Sequence, residues 1–404
     1  MAGDEGKLAN MNEKVDEDDE FRTENLHAQK LTEYVNARGV IGHYKICKVV
    51  GAGANGVVAL VNHMETNETA VMKIAMNLSA SGSLYWESDV MDHLLHAEGE
   101  DHTRHLVRKL DAGHTKNHLQ EVGYIVMEYL PGNPVGILGY LSGRALIQKT
   151  CEFGLQLLRA LYDIHLLGFV HRDVKPENVG LFQDKLLILY DLGMARFITD
   201  SQGNLREPRC NVGMRGTDEW ASLYAENGRD QGRIDDLWGW FYVLIEWINC
   251  SSKYPLAWAP YDSHAHIRHL MKSTLYPAKL VLHNCPSEFY RIHSYLRLLS
   301  RNSTPNYFYL ANTLHECKKR MEEEQKLEEA NKPKPKIRRA RFPTFFEVEQ
   351  MLDDYDEYHA DTTVAGKMDL KRVGVETIGA QTQPTAEPKE PTVEPNAPAA
   401  QPPA

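Results

Sequence analysis

The stretch His171-Arg172-Asp173-Val174-Lys175-Pro176-Glu177-Asn178 carries the most specific signal in the chain and decides how the rest is interpreted. It satisfies the pattern H-R-D-x-x-x-x-N in full, in which an aspartate receives or orients the proton of an attacking hydroxyl and an asparagine offers an amide oxygen to magnesium. Lys175, between them, can offset charge on a phosphoryl group during transfer. The stretch therefore predicts a phosphoryl-transfer loop with Asp173 and Lys175 as catalytic residues and Asn178 as a metal ligand.

A second candidate metal ligand follows at Asp191. Asp191-Leu192-Gly193 comes directly after the strand-like run Leu186 to Tyr190. Most D-x-G sequences are plain turns. Preceded by the 171–178 loop at this distance, however, the pattern favours a carboxylate at a strand end that holds magnesium.

A glycine-rich segment lies upstream, at Gly51-Ala52-Gly53-Ala54-Asn55-Gly56. It matches G-x-G-x-x-G, which lets the backbone approach phosphates because no Cβ intervenes. A Walker loop does not fit, since Val57 and Val58 stand where Lys and Ser/Thr would be needed. A dinucleotide fold does not fit either, because Val57 to Asn62 is typical of a strand where that fold requires a helix. The segment alone leaves open a phosphate-covering hairpin or an ordinary turn.

Lys73 ends a third predicted strand, after strands near Tyr44 to Val50 and Val57 to Asn62. A lysine that points into the core needs an anion. Glu87, on a helix predicted near 83–96, could orient Lys73 toward the α- and β-phosphates of a nucleotide. The alternative is an unrelated pair of surface residues.

These residues occur in one order along the chain, which resembles the protein kinase superfamily over residues 42–320. No A-P-E follows the activation segment. Instead the chain has Arg215-Gly216-Thr217, Ala221-Ser222, Arg233-Ile234-Asp235-Asp236-Leu237-Trp238 and Pro305-Asn306-Tyr307. These segments resemble the casein kinase 1 group, and Asp-Asp-Leu-Trp with Phe241-Tyr242 most resembles its tau-tubulin kinase branch.

The resemblance implies an α+β fold of two lobes, a small β-rich lobe over 42–130 and a larger helical lobe over 135–320, with ATP and Mg2+ between them. It implies a serine/threonine protein kinase; the alternative is a catalytically weak pseudokinase or scaffold. It also implies that Asp236 holds the 171–178 loop by hydrogen bonds and that Met127 is the gatekeeper before the adenine hinge of Glu128, Tyr129 and Leu130. The expected nucleotide-binding set is Gly51, Ala52, Gly53, Gly56, Val58, Lys73, Met127, Glu128 and Leu130.

Three departures from the family pattern bear on function. Asn55 replaces an aromatic residue at the tip of the glycine-rich segment, and Leu192 replaces the Phe of D-F-G. Glu219 stands where casein kinase 1 relatives have a basic residue that receives a substrate phosphate. A carboxylate there would repel phosphate, so we expect little preference for primed or acidic peptides and a preference for basic ones. Thr199, Ser201 and Thr217 are interpreted as ordinary hydroxyls of the activation segment.

Composition narrows the class of protein. The formal net charge of −11 gives no basic field for nucleic acid. The six cysteines show no C-x-x-C spacing, so reduced, packed thiols are expected. The longest apolar run, Trp238 to Ile248, is too short for a bilayer core of roughly 30 Å, and the acidic start has no signal-peptide pattern. We expect a monomeric cytoplasmic enzyme with protein substrates and no membrane or nucleic-acid partner. The tau-tubulin kinase resemblance implies cytoskeletal proteins among the substrates.

The ends of the chain differ from the middle in composition. Residues 1–40 are charged and predict a disordered or loosely helical leader. Residues 321–380 predict a charged, partly helical extension, in which the basic run Lys332 to Arg341 could be a nuclear signal or a solvated linker. Residues 381–404, rich in Pro, Ala and Glu, predict a disordered tail.

Overall fold

The small lobe is built on one antiparallel sheet. The computed structural model describes residues 28–53, 56–75, 78–95, 104–116, 121–261, 263–273 and 277–331. The strands are β1 (Val40–Ile41), β2 (Tyr44–Gly53), β3 (Gly56–His63), β4 (Thr69–Ala75), β5 (Lys109–Lys116) and β6 (Glu121–Glu128), in the order β1-β2-β3-β4-β6-β5. Burial alternates along β3, where Val57, Ala59 and Val61 are fully buried on one face. The predicted strands are confirmed.

A helix that the sequence placed in the leader covers that face. Residues 28–38 form α1, which leads through Gly39 into β1. Leu31 and Val35, one turn apart, are buried in the same apolar cluster as Val57 and Met72. Residues 28–38 therefore belong to the small lobe, whereas residues 1–27 lie outside the described part of the chain.

The helix α2 (Leu78–Leu95) lies against the other face of the sheet and carries Glu87. It overlaps the helix predicted near 83–96, begins earlier and ends at Leu95. Two short antiparallel strand pairs follow in the large lobe: β7 (Phe169–Val170) pairs with β10 (Arg196–Phe197), and β8 (Val179–Phe182) forms a hairpin with β9 (Leu186–Leu189). The 171–178 loop connects β7 to β8, and Asp191 lies between β9 and β10.

The large lobe is helical, so the predicted α+β architecture is confirmed. Its helices are α3 (Pro134–Leu138), α4 (Gly143–Leu166), α5 (Leu223–Glu226), α6 (Arg233–Ile248), α7 (Ala265–Lys272), α8 (Ala278–Val281), α9 (Ser287–Leu296) and α10 (Tyr307–Asn331). The helix α6 is apolar on nearly all sides and buried at the centre, as its sequence predicts. Gly168, with φ +82°, follows the end of α4, where glycine readily adopts the left-handed conformation that ends a helix.

The helix α10 crosses the predicted boundary at residue 320. Met321 is buried, and Arg320 donates to Glu288 on α9 at 2.8 Å. Arg144 on α4 donates to Glu324 at 3.1 Å. The helical lobe thus continues to residue 331, while Lys332 to Arg341 and the predicted tail lie outside the described residues. Among the helices that the structure describes, none is both long and apolar enough to cross a membrane.

Candidate active site

Lys73 forms ion pairs with two carboxylates. It lies near the end of β4, between Val58 on β3 and Ile125 on β6. Its Nζ lies 2.7 Å from Glu87 Oε2 and 2.9 Å from Asp191 Oδ1. The sequence predicted all three residues, and the structure brings them together from α2, β4 and the segment after β9.

The charges of this triad depend on each other. Burial alone would lower the pKa of Lys73, but the carboxylates of Glu87 and Asp191 raise it overall. Burial raises the pKa of Glu87, against the opposing effect of the ammonium. Burial would also raise the pKa of Asp191, but Lys73 lowers it overall. We therefore treat Lys73 and Asp191 as ionised, which is the state that phosphate and cation binding require.

The 171–178 loop is held by hydrogen bonds to Asp236 on α6. Asp236 Oδ2 accepts hydrogen bonds from the backbone N–H of His171 at 2.7 Å and from His165 Nε2 at 2.8 Å. Asp236 Oδ1 accepts from the backbone N–H of Arg172 at 2.7 Å. Arg172 has φ +70°, and its Nε donates to the carbonyl of Met194 at 2.7 Å. Asp236 therefore holds the 171–178 loop by hydrogen bonds, as the resemblance implied.

Asp173, at the centre of this loop, is held by three side chains. Thr217 Oγ1 donates to Asp173 Oδ1 at 2.8 Å, Lys175 Nζ lies 3.0 Å from Oδ2, and Asn178 Nδ2 lies 3.2 Å from Oδ2. Lys175 also donates to Thr217 Oγ1 at 2.7 Å. Thr217, interpreted from sequence as an ordinary hydroxyl, therefore joins the two catalytic candidates. No local pattern indicates this role, because Thr217 lies 44 residues from Asp173.

Asn178 and Asp191 are the candidate metal ligands. Asn178 Nδ2 also donates to the carbonyl of Asp173 at 2.8 Å, so its amide oxygen is the atom that it can present to a cation. The backbone N–H of Tyr190 donates to the carbonyl of Asn178 at 2.9 Å, which places Asp191 next to the loop. One carboxylate and one amide oxygen suit Mg2+, which prefers oxygen ligands and takes others from substrate phosphates. Among the described residues, no three His, Cys, Asp or Glu side chains are grouped so that they could hold a metal ion by themselves.

The described residues of the glycine-rich segment are the end of β2 and the start of β3. Gly53 pairs with Gly56, Ala52 with Val57, and Gly51 with Val58. Gly56 has φ +124°, and a Cβ there would lie 2.1 Å from the carbonyl oxygen of Ile74, so only glycine fits. The strand pairing therefore excludes a helix after this segment and favours the hairpin interpretation. Asn55 lies outside the described residues.

The chain passes between the lobes after Met127. Met127 is buried on β6 and pairs with Val71, and Glu128 accepts a hydrogen bond from the backbone N–H of Arg108 at 2.8 Å. Leu130 is half-buried and packs against the large-lobe core. These residues lead from β6 out of the small lobe, and β6 pairs with β4, the strand that carries Lys73. Leu192 is fully buried and points away from solvent.

The two acidic residues after Thr217 have different surroundings. Asp218 lies 2.5 Å from Arg268 on α7, so its charge is compensated. The carbonyl of Glu219 accepts from Trp258 Nε1 at 2.9 Å. Its carboxylate, with that of Glu177, adds to burial in raising the pKa of Glu246 to about 7, although Trp220 Nε1 donates to Glu246 at 2.7 Å. Three carboxylates thus influence each other beside the 171–178 loop.

Comparison with known proteins agrees with this geometry. The protein kinase domain family matches residues 44–294, which run from β2 into α9. A probable serine/threonine-protein kinase of Dictyostelium discoideum is 29% identical over 281 residues, which cover 68% of this chain and 54% of that protein. The chain therefore spans about half the length of the curated relative that it matches.

Proposed function

The chain belongs to the protein kinase domain family, and we propose that it is a serine/threonine protein kinase that transfers the γ-phosphoryl group of ATP to hydroxyls of proteins. One observation carries the proposal: an ammonium, a candidate metal pair and a proton-accepting carboxylate converge at one cleft. Lys73 contacts Asp191, and Tyr190 ties Asp191 to Asn178, which in turn bonds to Asp173.

Each residue has a role that follows from its contacts. MgATP, when bound, supplies the phosphoryl group and the cation that neutralises its charge; Asn178 and Asp191 would hold that cation. Glu87 orients Lys73, whose ammonium binds phosphate oxygens. Asp173 accepts the proton of the incoming hydroxyl, while Thr217 and Lys175 keep its carboxylate in place. Because the side chains are already positioned, little reorganisation is needed at the moment of transfer.

The alternative is a scaffold with this fold and no catalysis. It would require one of these groups to be missing or turned away, whereas Lys73 contacts Glu87 and Asp191, and Asp173 contacts Lys175 and Asn178. We expect the purified chain to incorporate labelled phosphate into a mixed peptide library, and Asp173→Asn to abolish incorporation. Asp184→Asn makes the same chemical change in an exposed turn and should not affect the rate. Equal incorporation by wild type and Asp173→Asn would refute the proposal and indicate a contaminating kinase.

We also propose that the enzyme belongs to the casein kinase 1 group and its tau-tubulin kinase branch, with a preference for basic rather than primed peptides. The segments at 215–217 and 233–238 support the grouping. The carboxylates of Glu177, Glu219 and Glu246 support the preference, because they place negative charge beside the loop that receives the hydroxyl. A peptide array would test it: selection for Lys or Arg near the acceptor is expected, and strong selection for a phosphorylated residue would contradict it.

The remaining functional proposals follow from the sequence. We propose that the protein acts as a monomer in the cytoplasm, with cytoskeletal proteins among its substrates, and that Lys332 to Arg341 gives additional access to the nucleus. Light scattering tests the first point, since a mass of two chains would exclude a monomer. A fluorescent fusion with and without 332–341 tests the second, since an unchanged nuclear fraction would remove the signal.

A further inference from the structure

A cavity of about 260 Å³ lies in the large lobe beside α6, and we call it the α6 cavity. One face of α6 lines it, because Ile234, Trp238 and Tyr242 are spaced four residues apart and therefore lie on the same side of the helix. Leu296 at the end of α9 and Leu299 just beyond it line another side. The surface that these five side chains offer to a ligand is apolar or aromatic.

The size of the α6 cavity limits what it can hold. Pockets that enclose drug-sized ligands have volumes of roughly 300–1,000 Å³. The α6 cavity is smaller, so it suits one large side chain better than a whole cofactor. Tyr224, which also lines the cavity, is exposed, and Leu299 is half-buried, so the cavity opens to solvent. An apolar site that is open in this way can receive a side chain of another protein.

Two arginines give the mouth of the α6 cavity a positive charge. Arg297 lines the cavity and is exposed. The guanidinium of Arg229, also exposed, lies 4.9 Å from the ring centroid of Tyr224. Among the residues that the structure describes, neither guanidinium is in an ion pair with a carboxylate. Both charges are therefore available to an anionic partner.

The charged groups deeper in the α6 cavity are already compensated. Lys272 Nζ lies 2.7 Å from Glu226, and Arg301 lies 3.4 Å from Asp230. The carboxylate of Asp235, which also lines the cavity, accepts two hydrogen bonds. The charge that a ligand meets is therefore that of the two arginines at the mouth, and it is positive.

We propose that the α6 cavity is a docking site for a segment of a protein substrate, in which one large apolar side chain enters the cavity and neighbouring Asp or Glu residues pair with Arg297 and Arg229. The inference deepens the proposed kinase function and rests on it. Ser222, which lines the cavity, follows Thr217 by five residues and so lies within about 18 Å of it. Because Thr217 contacts Asp173, one substrate can reach both the cavity and the catalytic loop.

A binding selection with the full chain tests the site without catalysis. A random heptapeptide library is selected on the immobilised wild type, and the most enriched peptide is synthesised with a fluorescein label. We expect a Leu, Ile, Phe or Trp with Asp or Glu within two positions of it. Leu299→Arg places a charged chain at the mouth and should raise Kd, measured by fluorescence anisotropy, by about tenfold or more, because burial of one large side chain contributes that much.

Leu298→Arg is the matched control for that variant. Leu298 is 83% exposed and does not line the cavity, so the same substitution one residue away should leave Kd unchanged. Arg297→Gln tests the electrostatic part at an exposed position, where folding is not at risk. It should raise Kd about threefold and reduce the dependence of Kd on salt between about 0.05 and 0.5 M.

The substrate role is tested by joining the selected peptide to a short acceptor peptide through a flexible Gly/Ser linker of about ten residues. The joined peptide should have a KM about tenfold or more below that of the acceptor peptide alone, with the same kcat. Docking raises the local concentration of the acceptor but adds no contact that changes in the transition state. An equal KM for the two peptides would refute the substrate role.

The outcomes separate the docking site from the proposed function. A wild type that binds the selected peptide through Leu299 but phosphorylates no peptide refutes the kinase function, and the substrate role with it. A wild type that phosphorylates peptides but enriches none, or only peptides that Leu299→Arg binds equally well, refutes the docking site alone. Enriched peptides with Lys or Arg beside the apolar residue also refute it. So does a wild type that dimerises where Leu299→Arg is monomeric, because the occupant is then a second copy of the chain.

Discussion

Replacing Asp236 by Asn tests how far α6 holds the catalytic loop in place. Asp236 accepts from the backbone N–H groups of His171 and Arg172 and from His165 Nε2, at 2.7, 2.7 and 2.8 Å. An amide has one oxygen, so its NH2 group must face at least one backbone N–H that is left without an acceptor. His165, whose pKa is lowered by burial, can adapt by changing its tautomer, but the backbone cannot.

The expected loss in the free energy of unfolding follows from the backbone N–H group that loses its acceptor. A buried donor without a partner costs about 1–3 kcal/mol, and the remaining bonds lose their charge-assisted character, so we expect Asp236→Asn to lower the free energy of unfolding by about 3 kcal/mol. The orphaned groups lie directly before Asp173. Displacement of that carboxylate should lower kcat by up to about a hundredfold. Urea unfolding gives the first quantity, and peptide phosphorylation at saturating ATP gives the second.

The adjacent carboxylate is a matched control. Asp235 accepts from the backbone N–H of Gly232 at 2.7 Å and from the Ser222 hydroxyl, and burial raises its pKa to about 6. A raised pKa means that the protonated form favours folding; this contribution is present below pH 4 and is lost as pH rises through 6. At pH 8 the neutral Asn should therefore cost less than about 1 kcal/mol. Equal unfolding midpoints for Asp235→Asn and Asp236→Asn, or an unchanged kcat in Asp236→Asn, would refute this reasoning.

Three further predictions address the triad, the leader helix and substrate charge. Lys73→Met should lower kcat by about a hundredfold or more, because a positioned cation is lost, and a fall of less than tenfold in a peptide assay would contradict its role. Deleting residues 1–39 should lower the free energy of unfolding by about 3 kcal/mol or more, because two apolar side chains of α1 are buried; urea curves that match those of the 1–27 deletion would contradict this. The pKa of Glu246 lies near 7, above its ordinary 4.5, so its charge develops as pH rises from 6 to 8. The kcat/KM ratio of a basic to a neutral peptide should rise over that interval, and a Glu246→Gln enzyme with the same pH profile would exclude this carboxylate as the cause.

The catalytic residues could be predicted because their chemistry requires particular residue types at short, fixed spacings. The 171–178 loop constrains Asp173, Lys175 and Asn178 within eight positions, and no common structural motif requires the same set. The buried helix α6 was also predictable, since its residues are apolar on nearly all sides. In both cases the signal is local, so one sequence is enough.

The packing of the leader helix and the contacts of Thr217 were missed because their partners are distant in sequence. Leu31 and Val35 form only one apolar pair at helical spacing in a charged segment, and what buries them is a sheet contributed by later residues. Thr217 is one hydroxyl among several until the fold brings it to Asp173. Long-range packing gives these residues their roles, and a single sequence does not contain that information.

The two carboxylates that contact Lys73 differ in their exposure to solvent, so the pair with Glu87 is permanent and the pair with Asp191 is exchangeable. The side chain of Glu87 is 1% exposed, whereas that of Asp191 is 41% exposed. Separating Lys73 from Glu87 would leave a buried carboxylate without its cation, which costs several kcal/mol. Separating Lys73 from Asp191 leaves a carboxylate that water or a cation can reach. An anionic ligand in the cleft would therefore compete for Lys73 against Asp191, and Asp191 would then be available to hold a cation that accompanies that ligand.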